Sequence, residues 1–379
     1  MSEAIYFSFF AFALLASIAY ALLILIYYKG WRNLTSIIPA KHNYKTKISV
    51  LVPARNEENQ IKNCIEGVLQ QDYPKILFEL IIVDDHSTDH TFSIASQYEN
   101  DKCKVIQCKA TQHTIAYKKQ AIQEAIEIAS GELIVTTDAD CRMNKSWLSS
   151  IATLYEKEKP KMIVGPVCFS EENTYFEKMQ SLEFISLIGS TGSSLFYKKP
   201  LMCNGANLAY ERKTFLEVNG FEAHKNIATG DDMLLMLHIN KAFPNSIAYL
   251  KSYEAVVYTH AKKSLQLFWE QRKRWVSKSK YYNDVYVILI SLLVYANNFI
   301  PLASLFFSFA YPKLIFVFLV TFSFKSMVDY FFLREISLFF KKDDLMKLFI
   351  PVQLSYLLYV AVIGFVSNFG SYKWKDRKY

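Results

Sequence analysis

Residues 4–28, AIYFSFFAFALLASIAYALLILIYY, pass without one charged side chain. As a helix this stretch is about 37 Å long, more than the roughly 30 Å hydrocarbon core of a bilayer. A cleaved secretory signal is the rival explanation. Only Met1, Ser2 and Glu3 precede the run, so the positive start of a signal is missing. The apolar stretch is also too long for a signal. Residues 4–28 are therefore expected to stay as an N-terminal transmembrane helix. Lys29, Arg32, Lys41, Lys45 and Lys47 follow it, and the positive-inside rule places residue 30 onward in the cytoplasm.

The chain turns apolar again near its end. Residues 285–309 and 313–333, either side of Pro312-Lys313, and about Leu348 to Phe369 are three further candidate spans. The segment LREISLFFKKDDLMK between them carries Arg334, Lys341, Lys342 and Lys347, which is cytoplasmic character. Three C-terminal spans leave the basic tail KWKDRKY on the outside, against that rule. Four spans in total, or three with one re-entrant or interfacial segment, are the two readings. A composition of 52% hydrophobic and 16% aromatic residues fits either. The net charge of +8 suits a phosphate-bearing partner, but no Lys/Arg run is long enough for nucleic acid. The six cysteines form no CxxC pair and have no histidine at ligand spacing. They read as reduced thiols rather than a zinc site.

Residues 45–260 are mixed and charged and cannot span a membrane. ISVLV (48–52) and ELIIVD (79–84) read as short buried strands, each followed by a polar cluster and a helical pattern. After the first, Ile61, Ile65, Val68 and Leu69 fall at helical spacing, and Asn56, Glu57 and Glu58 suit a helix start. A weaker strand (104–107), a helix from about Thr114 to Ala129 and a strand at 133–137 continue the alternation. This predicts an α/β domain with a mostly parallel sheet covered on both faces. Ligands of such sheets bind beyond the carboxyl ends of the strands, where PARNEE, DDHSTD and DAD all fall.

The last of these ends the stretch IVTTDADC. Asp138 and Asp140 lie two residues apart, so in extended chain they face one side. Two carboxylates so placed repel each other. A hard divalent cation, Mg2+ or Mn2+, held by carboxylates together with substrate phosphates, relieves that repulsion. A solvated acidic turn is the plain alternative.

The order VPARNE (52–57), VDDHSTD (83–89), Lys118, DAD (138–140), GDD (230–232) and QRKRW (271–275) resembles the family 2 glycosyltransferases. The likeness is to the membrane-bound group that includes cellulose, chitin and hyaluronan synthases and ceramide glucosyltransferase. It covers residues 48 to about 276. It implies a GT-A type nucleotide-sugar domain over 45–260, flanked by transmembrane helices. An amphipathic interfacial helix over 261–283 carries the QRKRW motif, and a membrane region over 284–370 follows. By the same resemblance Pro53, Ala54, Glu57, Asp84 and Asp85 hold the nucleotide, a carboxylate accepting the uracil N–H. The helix N-cap reading remains open for Ser87, Thr88 or Asp89. Lys118 aligns with a lysine that meets the diphosphate, although Tyr117 stands where glycine is common. Lys118 and Lys119 as solvated helix charges is the alternative. The metal falls on Asp140, with Asp138 shared between metal and ribose. The family shows Glu-Asp where this chain has Asp231-Asp232; Asp232 becomes the general base, and Asp231 faces the acceptor or caps the helix. That helix should bury Leu234, Leu235 and Leu237. Asn204 and Asn207, in NGANLAYER, are acceptor-hydroxyl contacts or ordinary loop residues. Gln271, Arg274 and Trp275 match Q-x-x-R-W and share one helical side; Arg suits a diphosphate and Trp a sugar face. Residues 174–199 are a second interfacial element or core.

The resemblance implies an inverting transferase with Mg2+ or Mn2+ that uses a nucleoside diphosphate sugar, UDP-linked by expectation. The acceptor is a membrane lipid or envelope glycan. A processive polysaccharide synthase and a catalytically silent sugar-nucleotide-binding subunit are the other two readings. The expected setting is the bacterial inner or plasma membrane with the catalytic domain cytoplasmic. Oligomeric state is not legible.

Overall fold

The computed structural model describes residues 1–39, 43–109, 116–227, 229–277, 284–366, 373–374 and 377–378. Most of the basic tail, residues 278–283 of the expected interfacial helix and residues 367–370 of the expected membrane region lie outside them. In chain order the elements begin with α1 (Glu3–Asn33), β1 (Ile48–Ala54), α2 (Ile61–Leu69), β2 (Phe78–Asp84), α3 (Thr91–Ser96), β3 (Cys103–Gln107), α4 (Tyr117–Ile128) and β4 (Leu133–Thr136). Then come β5 (Arg142–Met143), α5 (Trp147–Glu158), β6 (Met162–Val164), β7 (Val167–Ser170), α6 (Tyr175–Phe196), β8 (Leu208–Glu211), α7 (Arg212–Glu217), α8 (Met233–Ala242), β9 (Ile247–Tyr249) and β10 (Val257–His260). The helices α9 (Leu265–Ser277), α10 (Val285–Phe307), α11 (Leu314–Phe339) and α12 (Phe349–Val366) follow.

The chain divides into two compact units. One comprises Met1–Arg32, Asn173–Gly189 and Lys262–Tyr379, the other Asn33–Glu172 and Ser190–Ala261. Sequence reading kept residues 45–260 together; in the structure Asn173–Gly189, the first two-thirds of α6, belongs with the helical unit instead.

The second unit is built on a seven-stranded sheet in the order β3-β2-β1-β4-β8-β6-β9. β1 pairs in parallel with β2 and β4, and β2 with β3. β8 alone runs against its two neighbours. A smaller sheet has the order β5-β10-β7. Every residue of β2 is buried, as befits a strand covered on both faces. Ile81, fully buried there, is worth about 2–5 kcal/mol over alanine. The strand and helix alternation expected over 48–137 is present. Two details differ. On α2, Cys64 is buried and Leu69 only half-buried, because the apolar stripe turns with the 3.6-residue period. On α8, Met233, Met236 and Ile239 go into the core beside Leu234 and Leu235, while Leu237 is half-buried.

The reversed direction of β8 has a consequence for the site. Thr136, at the carboxyl end of β4, pairs with Leu208, the first residue of β8. The stretch entering β8, Asn204–Asn207, therefore lies at the same sheet edge as the ends of β1, β2 and β4.

Among its described residues, the first unit holds four helices long and apolar enough to cross a membrane: Glu3–Asn33, Val285–Phe307, Leu314–Phe339 and Asp343–Phe365. Ala13, Ile300, Leu314 and Val317 form a buried cluster with Phe9, Phe10 and Ala296 packed on it. A polar knot lies deeper. Lys325 donates to Asp329 Oδ2 at 2.7 Å and to Gln353 Oε1 at 2.8 Å, and Tyr20 donates to Asp329 Oδ1 at 2.8 Å. Lys325 is buried and has the Tyr20 and Tyr356 rings within 6 Å. A charge in apolar surroundings persists only when paired in this way.

Candidate active site

The loops leaving β1 and β2 are bonded to each other. The Asn56 N–H donates to Ser87 Oγ at 3.0 Å, and Asn56 Oδ1 accepts the Thr88 N–H at 2.9 Å. Glu58 N–H donates to Asp89 Oδ2 at 3.1 Å, and Glu58 Oε2 accepts the His90 N–H at 3.0 Å. Glu57 N–H donates to Thr91 Oγ1 at 2.7 Å. The residues read as a helix start bond sideways through their amides and side chains, while the Glu57 carbonyl accepts the Gln60 and Ile61 N–H groups, both at 2.9 Å, at the turn into α2; Gln60 makes no side-chain cap. Asp89 precedes His90, the N-cap of α3, and accepts the Thr91 N–H at 3.0 Å.

Pro53 and Ala54 end β1 beside Val83 and Asp84. Asp84 and Asp85 are both buried. Asp84 Oδ2 accepts the Ser87 N–H at 3.2 Å, whereas its Oδ1 is buried with no partner among the described residues. An unmet buried carboxylate oxygen is costly, and it suits an N–H donor arriving with a ligand.

Lys118, in the first turn of α4, lies 2.7 Å from Asp138 Oδ1 and 3.2 Å from Asp231 Oδ2. Burial alone would lower its pKa; the Asp138, Asp231 and Asp232 carboxylates overcome that and raise it well above the ordinary lysine value. The lysine is therefore a permanent cation facing the carboxylates, not a solvated helix charge. Lys119, its neighbour, is buried too, donating to the carbonyls of His224 and Ile227 at 2.9 and 2.8 Å.

Asp232 is the N-cap of α8 and accepts the Met233 N–H at 2.7 Å; its other oxygen accepts the Gly205 N–H at 3.2 Å. The cap is thus Asp232, leaving Asp231 to pair with Lys118. Gly205 closes the arrangement. A Cβ there would lie 3.3 Å from Asp231 Oδ2, 3.5 Å from Lys118 Nζ and 3.6 Å from Asp232 Cβ.

Asp138, Asp140 and Cys141 bring their ligand atoms within 4.8 Å of one another. Thr259 Oγ1 lies 3.4 Å from Asp140 Oδ2. Burial, then Asp140 and Asp138, push the Cys141 thiol well up, and the two carboxylates beside it offer oxygen donors. Asp138, Asp231 and Asp232 act on one lysine, and Asp140 lies beside Asp138. That excess of negative charge and the oxygen donor set fit a hard divalent cation.

Asn204 and Asn207 part company. Asn204 is half-exposed and accepts the Ala206 N–H at 3.0 Å. Asn207 is buried; its Nδ2 donates to the carbonyls of Pro166 and Ala255, both at 2.8 Å, and its Oδ1 accepts the Trp147 indole N–H at 2.9 Å. Its amide is bonded within the core, as in the alternative of ordinary loop hydrogen bonding.

Gln271, Arg274 and Trp275 lie on α9 in the helical unit, all half-buried. The buried residues of α9 are Phe268 and Arg272. Arg272 pairs with Glu183 of α6, and its guanidinium sits 4.2 Å from the Trp275 ring and 4.7 Å from that of Phe268. Sequence reading passed over Arg272 because only its neighbours matched the motif. It also missed Thr137 and Tyr210, whose hydroxyls are buried without partners among the described residues. Burial and Asp231 push the Tyr210 phenol up, with Lys118 opposing. No spacing rule marks a lone Tyr inside a strand or a lone Thr just past the end of one.

Residues 49–218 match the model of glycosyl transferase family 2. The chain is 27% identical over 237 residues to beta-monoglucosyldiacylglycerol synthase of Nostoc sp. strain PCC 7120, covering 60% of this chain and 48% of that protein. It is 30% identical over 212 residues to dolichyl N-acetyl-alpha-D-glucosaminyl phosphate 3-beta-D-2,3-diacetamido-2,3-dideoxy-beta-D-glucuronosyltransferase of Methanococcus voltae, covering 51% and 61%. The chain spans about half the length of the first curated relatives it matches. Mannosyltransferase PcManGT from Pyrobaculum calidifontis, solved with GDP-Man and Mn2+, superposes with a TM-score of 0.54 at 16% identity, over 93% of this chain and 99% of that one. That likeness is one of fold, the GT-A fold. Over residues 49–218 the chain is thus similar to glycosyl transferase family 2, and its described residues also include four helices long and apolar enough to cross a membrane.

Proposed function

We propose that the protein is an inverting glycosyltransferase that moves a sugar from a nucleoside diphosphate donor to the hydroxyl of a membrane lipid. The observation that carries this reading is the convergence of Lys118, Asp138, Asp231 and Asp232 around Gly205 at the carboxyl edge of the sheet. The donor's base sits over the bonded loops, where Asp84 Oδ1 takes a base N–H; a carboxylate there suits uracil. Lys118 meets the diphosphate with a charge that does not titrate away. Asp138 and Asp140 would hold Mg2+ or Mn2+, which supplies charge neutralisation for the departing diphosphate.

Asp232 takes the acceptor's hydroxyl proton as that oxygen attacks the anomeric carbon and the bond to the diphosphate breaks. The Gly205 and Met233 amides fix its carboxylate in place, and preorganisation of this kind lowers the barrier. One base and no second nucleophile give a single displacement, hence inversion. The lipid acceptor is favoured by the names of relatives that act on glycerolipid and dolichyl phosphate acceptors. It is also favoured by a membrane part of few helices. The basic flank after α1 supports a cytoplasmic site.

The test is label transfer. Full-length protein in detergent is incubated with radiolabelled UDP- and GDP-sugars, Mn2+ and total membrane lipid extract. Label from one donor in one organic-extractable product is the expected result. Label in high-mass, protease-resistant material would replace this reading with a processive synthase. Bound donor with no transfer would favour the silent binder.

A further inference from the structure

The two adjacent lysines at the start of α4 face different partners. Lys118 reaches the side chains of Asp138 and Asp231. Lys119 is 3% exposed, and its ammonium is directed at the main chain of the segment that leads into Asp231. The carbonyls it holds belong to His224 and Ile227. The described residues of that segment hold a short 3-10 turn over Glu222–His224 and Gly230 at φ +80° before the two aspartates. None of those described residues pairs in a strand, and the bonds of α8 reach back only as far as the Gly230 carbonyl, which accepts the Leu234 N–H at 3.1 Å.

We propose that Lys119 is a positioning residue for the reaction, fixing the 222–230 segment so that Asp231 and Asp232 arrive in register with Lys118 and Asp138. One helical turn then grips the acidic pair twice, Lys118 by a side chain and Lys119 by the backbone upstream. Bonds from an ammonium to carbonyls are charge-assisted and stronger than neutral ones. The donor end is buried although the carbonyls lie on half-exposed residues, so competition from water is reduced on the lysine side. A carboxylate base displaced by about 1 Å loses on the order of 100-fold in rate, so a loose segment reduces turnover without removing any group that touches the donor. The inference deepens the proposed reaction and rests on Asp232 being its base.

The experiment uses the full chain in detergent, comparing wild type, Lys119→Met, Lys119→Gln and Lys119→Arg. Three quantities are read: hydrogen–deuterium exchange along the chain, affinity for UDP with Mn2+, and nucleoside diphosphate release from the donor accepted in the label-transfer panel. In Lys119→Met, exchange rises within 222–230 only, UDP affinity stays within about twofold, and turnover falls about 10- to 100-fold. Lys119→Arg recovers most of the turnover because it restores the donors. Lys119→Gln, with shorter reach, falls between and serves if the methionine variant does not fold. Unchanged exchange in 222–230 would overturn the proposal, as would raised exchange with unchanged turnover. Exchange rising throughout the sheet together with lost UDP binding would show a purely structural lysine and overturn it as well. Full activity of Asp232→Asn would instead remove the base reading, while the exchange result would still report what Lys119 holds.

Discussion

Asp232 accepts the backbone N–H of Gly205, a residue 27 positions earlier in the chain, at 3.2 Å. The bond joins the start of α8 to the turn that leads into β8. Two motifs distant in sequence thereby become one site, and the carboxylate is aimed by main-chain atoms that substitution does not easily move.

Asp232→Asn keeps the cap oxygen but cannot take a proton. Transfer should fall by about 10²–10⁴-fold, the range general base catalysis supplies, with donor affinity nearly unchanged. Steady-state transfer assays paired with calorimetric UDP binding check this. Full transfer by the variant would place the base elsewhere, with Asp231 the first alternative.

Asp140→Ala should abolish the dependence of UDP affinity on Mn2+. Wild-type protein is expected to bind UDP at least 10-fold more tightly with Mn2+ than with a chelator, given the charge a divalent ion offsets between phosphates and carboxylates. Equal affinities in wild type under both conditions would remove the metal from the reading.

Gly205→Ala places a methyl 3.3 Å from Asp231 Oδ2 and 3.5 Å from Lys118 Nζ. Both must shift by a few tenths of an ångström. Turnover should fall about 10-fold with melting temperature little altered, as thermal unfolding and transfer rates measured together would show.

Asn207→Ala strands the Trp147 indole N–H and the carbonyls of Pro166 and Ala255. Stability should fall by about 3 kcal/mol, since each buried group left unpaired costs roughly 1–3 kcal/mol. If the variant melts like wild type and only acceptor affinity changes, Asn207 is an acceptor contact after all.

Glu79 provides a pH handle at the opposite end of the sheet. Burial would raise its pKa, but the Ser130 N–H, Ser49, Lys104 and the Ser130 hydroxyl together hold it down at about 2. A carboxylate depressed in the folded state stabilises above its unfolded value and loses that contribution as pH falls through the folded one. The wild-type melting temperature should therefore drop between about pH 4.5 and 2, and Glu79→Gln should flatten that part of the profile. Parallel curves for the two proteins would contradict it.

The parallel half of the sheet was legible because β1, β2 and β4 are apolar runs closed by polar clusters, and burial on both faces demands that composition. The antiparallel β8 was not. LAYE carries no sign of direction, which is set by its pairing with β4 and β6. The acidic residues and Lys118 stood out as charges where none were needed for solubility. Lys119 did not, because nothing local distinguishes a lysine that reaches two distant carbonyls from one in water. Asn207 stayed open for a similar reason: an amide in a small-residue turn looks the same whether it meets a ligand or an indole across the core. Arg272 lay one position from a recognised residue and was hidden by the match.

Lys325 and Asp329 stand one turn apart on a single helix. Their charges cancel within α11 itself, before α1 supplies Tyr20 or α12 supplies Gln353. If α11 crosses a bilayer, it would do so with this pair already neutralised on one helix, and exchanging either residue alone would leave the other's charge unmatched there.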